Sequence, residues 1–424
     1  MHAIPSTRRP TGHLLPVLTL LLAASGLPAS AQVTASLSAG QGVEALQPTG
    51  DAGETEGNTA VSGALAYTFL EGRGRVGYDG VYGTYAAPGD WGFWAHEFGG
   101  RYRFDFGANR AHHLYTGGSA VLRRNGTAWE AADYDAVGGF ANLELHGSDT
   151  TVVRAGYRLD ARRFTTTPAL DHLQHTASAS LLVNLPSRTT LIGEMTTGFK
   201  SYAGLPAGTS LVAARPAAGA VDTPGMGGSG GSGAGLGGGW RQGTSAGLTF
   251  IPVTTPGVPE TDAGLVSAYL RVAQSIAERI GLSAELFHRG LFGDAPPAVV
   301  TTPPGLFDDG VYDDPYASAM TSARLSLKGL PQRGPSWLVT GTWQDKPYEN
   351  TPALDPTGLP IAGQLRHDRV VRAGASLSWP IAPGRTGAAE IAFVPAYDFT
   401  RSRSTTSDYN YTAHTVTFGV TIGY

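Results

Sequence analysis

The sequence predicts an all-β protein that closes into a transmembrane antiparallel β-barrel of about 16 strands, with short turns at one end and long loops at the other. Three observations carry this expectation. Apolar and polar residues alternate with period 2 along most of the chain, and helical periodicity is almost absent. The polar face of several segments holds arginines with carboxylates two or four positions away, too charged for one side of a sandwich core but suited to a wet lumen. The connections between segments alternate between tight and long.

The chain opens with an export address. Arg8 and Arg9 precede an apolar run over 14–24, and Ala29-Ser30-Ala31 follows as a small-x-small cleavage site. That run is too short for a membrane-spanning helix, which needs about 20 apolar residues. Residues 1–31 are therefore expected to be a signal peptide, with 32–424 forming the barrel and Gln32 the mature start. No cysteine follows the run, which leaves no site for lipoprotein anchoring, and the whole chain has 0 cysteines, so no disulfide holds the fold. Charged residues are only 15% and the net charge is −4, values that point away from nucleic acid as a partner.

The strands follow in order. Val61, Leu65, Tyr67 and Phe69 alternate with Ser62, Ala64, Ala66 and Thr68. Phe98, Tyr102, Phe104 and Phe106 alternate with Glu97, Arg101, Arg103 and Asp105. Val153, Ala155, Tyr157 and Leu159 alternate with Arg154, Gly156, Arg158 and Asp160. Val371, Ala373, Ala375, Leu377 and Trp379 alternate with Arg372, Gly374, Ser376 and Ser378. Each segment is about ten residues, the length a tilted strand needs to cross a bilayer. Trp91, Trp94, Trp337, Trp343, Trp379 and Tyr397 recur near strand ends, as interfacial girdles require.

Tight turns fall at 71–74, 107–109, 147–149, 186–188, 277–281, 331–335 and 383–386. The longest loops fall near 203–262, 290–316 and 346–368. The short–long rhythm holds from the N-terminus to Tyr202 and from the C-terminus back to Leu265. Between them, Thr244, Ala246, Leu248 and Phe250 share a face and read as a strand, giving an odd total. A closed bacterial barrel needs an even count. Either this segment belongs to a loop and the barrel has 16 strands, or a partner near 209–214 makes 18; 16 is the expectation.

The final segment is the most specific. Val416, Phe418, Val420, Ile422 and Tyr424 form one face, and Thr415, Thr417, Gly419, Thr421 and Gly423 the other. It resembles the terminal strand of bacterial outer-membrane β-barrel proteins, porin-like in pattern, with Tyr where that class most often ends in Phe. The resemblance implies a location in the bacterial outer membrane, outer-membrane lipid and lipopolysaccharide as surroundings, and the barrel-assembly machinery as a partner during biogenesis. Phe418, Gly419, Val420, Ile422 and Tyr424 would be the assembly signal.

The face assignments place Arg101, Arg103, Arg154, Arg158, Asp160, Glu194, Lys200, Arg271, Glu285, Arg289, Arg324, Lys328, Arg372 and Glu390 toward the lumen. Basic residues outnumber acidic ones in this set, which favours anions. The functional expectation is a channel for passive or weakly selective passage of small solutes, since about 16 strands enclose water. Two alternatives stay open: a non-transporting surface scaffold, adhesin or assembly-partner barrel, and an outer-membrane hydrolase. No enzyme activity and no cofactor are expected. Gly-x-Ser-x-Gly is absent, and His112, His113, His172 and His175, with Asp171 beside His172, read as isolated histidines at strand ends. Asp308, Asp309, Asp313 and Asp314 offer oxygen ligands for a hard cation without the spacing of an EF-hand. The glycine tract 225–239 lacks the Lys-Ser or Lys-Thr of a phosphate loop and reads as a linker.

Overall fold

The computed structural model describes residues 32–48, 54–85, 92–126, 130, 133–166, 168, 171–202, 210–214, 249–253, 262–293, 315–331, 334–355, 359–382 and 390–423. The signal-peptide segment, the glycine tract, Trp91, the aspartates at 308, 309, 313 and 314, and Tyr424 lie outside the described residues.

Among the described residues eighteen strands follow one another: β1 (Gln32–Pro48), β2 (Glu54–Phe69), β3 (Gly74–Tyr85), β4 (Phe93–Phe106), β5 (His112–Asn125), β6 (Tyr134–Ser148), β7 (Thr151–Phe164), β8 (His172–Leu185), β9 (Thr189–Tyr202), β10 (Ser210–Ala214), β11 (Thr249–Val253), β12 (Asp262–Ala277), β13 (Ile280–Gly293), β14 (Met320–Gly329), β15 (Ser336–Leu354), β16 (Pro360–Ala382), β17 (Glu390–Ser404) and β18 (Tyr411–Gly423). Sixteen of them form a closed antiparallel barrel, in which β1 pairs with both β2 and β18 and β9 pairs directly with β12. Closure leaves no free edge in the ring, the condition for a sheet in hydrocarbon.

The odd count in the sequence resolves in an unexpected way. A partner for the segment around Phe250 does exist at Ser210–Ala214, where the 18-strand alternative needed one. It pairs only with β11, and the two make a separate two-stranded sheet between β9 and β12. The ring keeps 16 strands.

Hydrogen-bonded pairs also reveal the strand tilt. From Arg154 in β7 the pairs run to Ser180, Glu194, Tyr269, Phe287, Ser322, Gln344, Val370, Ser402 and Tyr411, and end opposite Pro48. The path starts near the tight-turn end of the barrel and finishes at the other end, the stagger that closing a barrel imposes. The tight turns at 70–73, 149–150, 186–188 and 278–279 join strands at the end where β1 begins and β18 finishes, which makes it the periplasmic end. At the first of them the Arg73 amide donates to the Leu70 carbonyl at 3.1 Å, and Gly72 takes φ 85°, where a Cβ would be strained.

One boundary differs sharply from the sequence expectation. The span 346–368 is largely strand, because β15 runs on to Leu354 and β16 starts at Pro360. The span was expected as a loop, yet its Pro347 and Pro352 sit at register shifts, where a missing donor does not break the ladder. The two strands rise past the bilayer as a long hairpin.

Candidate functional site

The register assigns every side chain to one of two faces. Arg101, Arg103, Arg154, Arg158, Asp160, Glu194, Lys200, Arg271, Glu285, Arg289, Arg324, Lys328 and Arg372 all fall on the same face, and the side chain of Glu390 lies outside the described ones. The other face carries Phe98, Val137, Met195, Leu286, Leu325, Trp379 and Phe418, each more than half exposed. Trp94, Trp337, Trp343 and Tyr397 of the expected girdles also point to this outer face by register.

The lumen face is not uniform along its length. Toward the extracellular end, side chains are packed away from solvent. A segment from the β13–β14 connection turns back inside the barrel, burying Tyr316 at 1% exposure against Ala263 and Leu265, with Tyr202 and Leu291 around them. A Cβ at inward-facing Gly198 would collide with the Tyr316 hydroxyl, so glycine there makes room for the ring. Arg289 pins the segment: its Nε donates to the Ser318 carbonyl at 3.0 Å and a terminal nitrogen donates to Ser318 Oγ at 3.0 Å. A β-bridge between Ser318 and Tyr348 ties the same segment to the long hairpin.

Cations stacked on aromatic rings surround this region. Arg123 lies 4.6 Å from the Phe93 ring, Arg162 4.3 Å from Tyr134, and the Lys200 ammonium 4.7 Å from Tyr202 and 5.6 Å from Tyr316. Arg366 sits between Tyr409 at 3.5 Å and Tyr348 at 4.4 Å while two of its nitrogens grip Asp368, the shortest bond being 2.6 Å. Arg366 is above the bilayer on the β16 extension. Burial pulls its pKa down, but the Asp368 carboxylate and the two tyrosines outweigh it and hold the guanidinium well above its ordinary value. Each such stack contributes about 0.5–2 kcal/mol, more where water is excluded.

A sealed ring whose outside is apolar and whose inside carries charge belongs in a bilayer. The protein is an outer-membrane β-barrel. No family model matches the chain, and no curated protein matches it in sequence. Solved structures resembling it include Pseudomonas aeruginosa OccK2 (OpdF), at 11% identity over 92% of this chain and 98% of that one with a TM-score of 0.46. Acinetobacter baumannii OccAB1 shows 9% identity over 92% and 96% with a TM-score of 0.47. A loop-deletion form of Vibrio cholerae OmpT, an outer membrane protein, shows 10% identity over 93% and 100% with a TM-score of 0.39.

The periplasmic half of the lumen is built differently. Arg75 faces Arg101 across the β3–β4 ladder, and Asp79 faces Glu97 four pairs further along. Like charges directly opposite each other cost stability, so a purely structural wall would pair them the other way. Beside them, small residues (Gly99, Gly117, Ser119, Gly138) keep the wall thin. Asp160 occupies the gap over Gly138, where a Cβ would collide with its Oδ1, and holds Arg158 through bonds of 2.6 and 2.8 Å.

Of the positions singled out in the sequence, the structure brings Lys200 and Arg289 to the packed extracellular layer and pairs Arg271 with Glu285 at 3.6 Å. The cations Arg123, Arg162, Lys346 and Arg366 were missed. Their signal was present, since each continues the same period-2 face; Lys346 and Arg366 do so inside the span read as a loop, 346–368. The histidines divide. His175 Nδ1 meets the Tyr157 hydroxyl at 2.6 Å on the outer face, and Asp171 accepts the Phe164 amide at 2.6 Å, so this pair serves the fold. His113 is not isolated: it lies beside Asp105, Glu144 and His146.

Proposed function

We propose that this barrel is a channel for passive, weakly selective passage of small solutes, favouring anions, with its narrowest part in the extracellular half. The single observation that carries this reading is the layer of cations (Arg123, Arg162, Lys200, Arg289, Arg366) held on aromatic rings and inward backbone around the extracellular end of the lumen. Rings keep the cations in fixed places, and fixed positive groups in a narrow passage lower the barrier for an anion while raising it for a cation. The segregated charges at Arg75, Arg101, Asp79 and Glu97 extend the field toward the periplasm.

The reading is non-enzymatic. It includes outer-leaflet lipid and lipopolysaccharide around the apolar band, and assembly machinery that reads the terminal strand through Phe418, Gly419, Val420, Ile422 and Tyr424. The test is a planar bilayer with purified protein under a salt gradient. Steady conductance steps with a reversal potential on the anion side support the proposal, and a silent bilayer overturns it.

One observation favours the second reading, a non-transporting barrel that serves as a scaffold. Tyr316, Lys200, Lys346, Gln344, Val370 and Tyr411 are all no more than 2% exposed, which is how a plugged lumen is packed. The same bilayer experiment separates the two.

A further inference from the structure

We infer that the periplasmic mouth of the barrel carries a binding site for one divalent transition-metal ion of the zinc class, held by His113, Glu144 and His146. Nothing in the channel reading requires it. The three residues come from the ends of neighbouring strands, His113 in β5 opposite Glu144 in β6, with His146 two positions further on the same face. Period 2 thus places Glu144-Leu145-His146 as two ligands on one side of the sheet.

The geometry is that of a metal cage. A ligand atom from each of the three lies within 4.8 Å of the other two. Glu144 Oε1 and His146 Nε2 are 2.9 Å apart. Two ligands on a tetrahedral ion with bonds of about 2.0–2.1 Å stand about 3.3 Å apart, so this pair needs only a small opening to share an ion. The surrounding groups fit the same purpose. His113 Nδ1 contacts Asp105 Oδ1 at 2.8 Å, the carboxylate–histidine arrangement that fixes a ring with its other nitrogen presented for ligation. Asp105 is itself held by Arg103 at 2.8 Å, and Arg154 Nε binds Glu144 Oε2 at 2.8 Å, steadying the carboxylate while leaving Oε1 to face the histidines. The His146 amide donates to His112 Nδ1 at 3.3 Å, which anchors the third ligand's backbone.

Two imidazoles and one carboxylate suit zinc, copper or nickel rather than calcium or magnesium, which take oxygen. Three protein ligands leave one coordination position, and the side chains keep enough exposure (20% for His113, 36% for His146) for it to open on the mouth.

The experiment uses full-length mature protein without a polyhistidine tag, folded in detergent and freed of metal, with zinc chloride titrated against a chromophoric chelator. The expected result is one equivalent bound, weakened at least tenfold in H113Q and in H146Q and about 10–100-fold in D105N. H172Q, at the opposite end of the barrel, should bind as the parent does. Heat-dependent gel mobility checks that each variant is folded. A second readout needs no variant: Co²⁺ bound by the parent protein should give the intense visible bands of a tetrahedral ion. Zinc binding equal in parent, H113Q and H146Q overturns the inference, as does the pale octahedral spectrum of free cobalt. Neither readout depends on conductance, so failure here leaves the channel reading standing, and the reverse holds.

Discussion

The two halves of the lumen are made from the same sheet and the same alternating pattern, yet they are built to different ends. In the extracellular half, charged side chains are buried and immobilised. Arg289 is spent on the Ser318 backbone and hydroxyl, and Arg366 is enclosed by two tyrosines and Asp368. In the periplasmic half, like charges face each other over a glycine-lined wall and side chains keep contact with solvent. The difference follows from what each end can recruit. Long connections supply Tyr316, Ser318 and Tyr409 to the extracellular half, and the extended β15 supplies Tyr348, whereas the tight turns at 70–73, 149–150, 186–188 and 278–279 span only a few residues. On the proposed channel reading, selection by fixed groups falls to the extracellular half and the guiding field to the periplasmic half.

The comparison breaks most readily at Arg289. In R289M the segment carrying Tyr316 and Ser318 loses its anchor, and single-channel conductance should rise about twofold or more as the passage widens. Unchanged step size would mean that the segment does not narrow the passage. Arg366 is next. R366A takes the guanidinium away from the buried Asp368 carboxylate, and breaking a buried pair in this way costs about 3–5 kcal/mol. Urea unfolding followed by gel mobility should show the loss, with conductance changing less than in R289M. A smaller effect is expected in the periplasmic half: R154E combined with R158E should move the reversal potential toward cations while step size stays near that of the parent, since those side chains shape the field rather than the bore. The smallest is G138A. The added methyl displaces Asp160 and loosens Arg158, for a cost of about 1 kcal/mol and a slight shift in reversal potential.

Much of this was legible in the sequence because a membrane barrel writes its two faces as strict alternation. The run from Arg101 to Asp105 and the terminal run to Ile422 state their face assignments residue by residue, and closure with an even count follows from them. What stayed hidden has a common cause. Tyr316 and Ser318 enter the barrel from a connection with no period, so nothing local announces their direction. The strand continuation through Pro347 and Pro352 stayed hidden too, because sequence alone does not show that register shifts receive them. The grouping of Asp105, His113, Glu144 and His146 depends on register between three strands, and the histidines look solitary until β5 is laid against its neighbours. The strand pair at Ser210–Ala214 and Thr249–Val253 misled the count for a related reason: pairing is visible in the pattern, but membership of the ring is not.

The central claim is that the lumen is open from the periplasm and narrowed in its extracellular half by the segment that Arg289 holds. The absence of native cysteine makes a direct measurement simple. Single cysteines at Asn142, in the periplasmic half, and at Gln344, in the buried extracellular layer, can be reacted with a small charged thiol reagent added from the periplasmic side of a bilayer. The account predicts fast modification at Asn142→Cys, at least tenfold slower modification at Gln344→Cys, and recovery of the Gln344→Cys rate when R289M is added. Equal rates at the two positions in the parent barrel, or no gain from R289M, would contradict it.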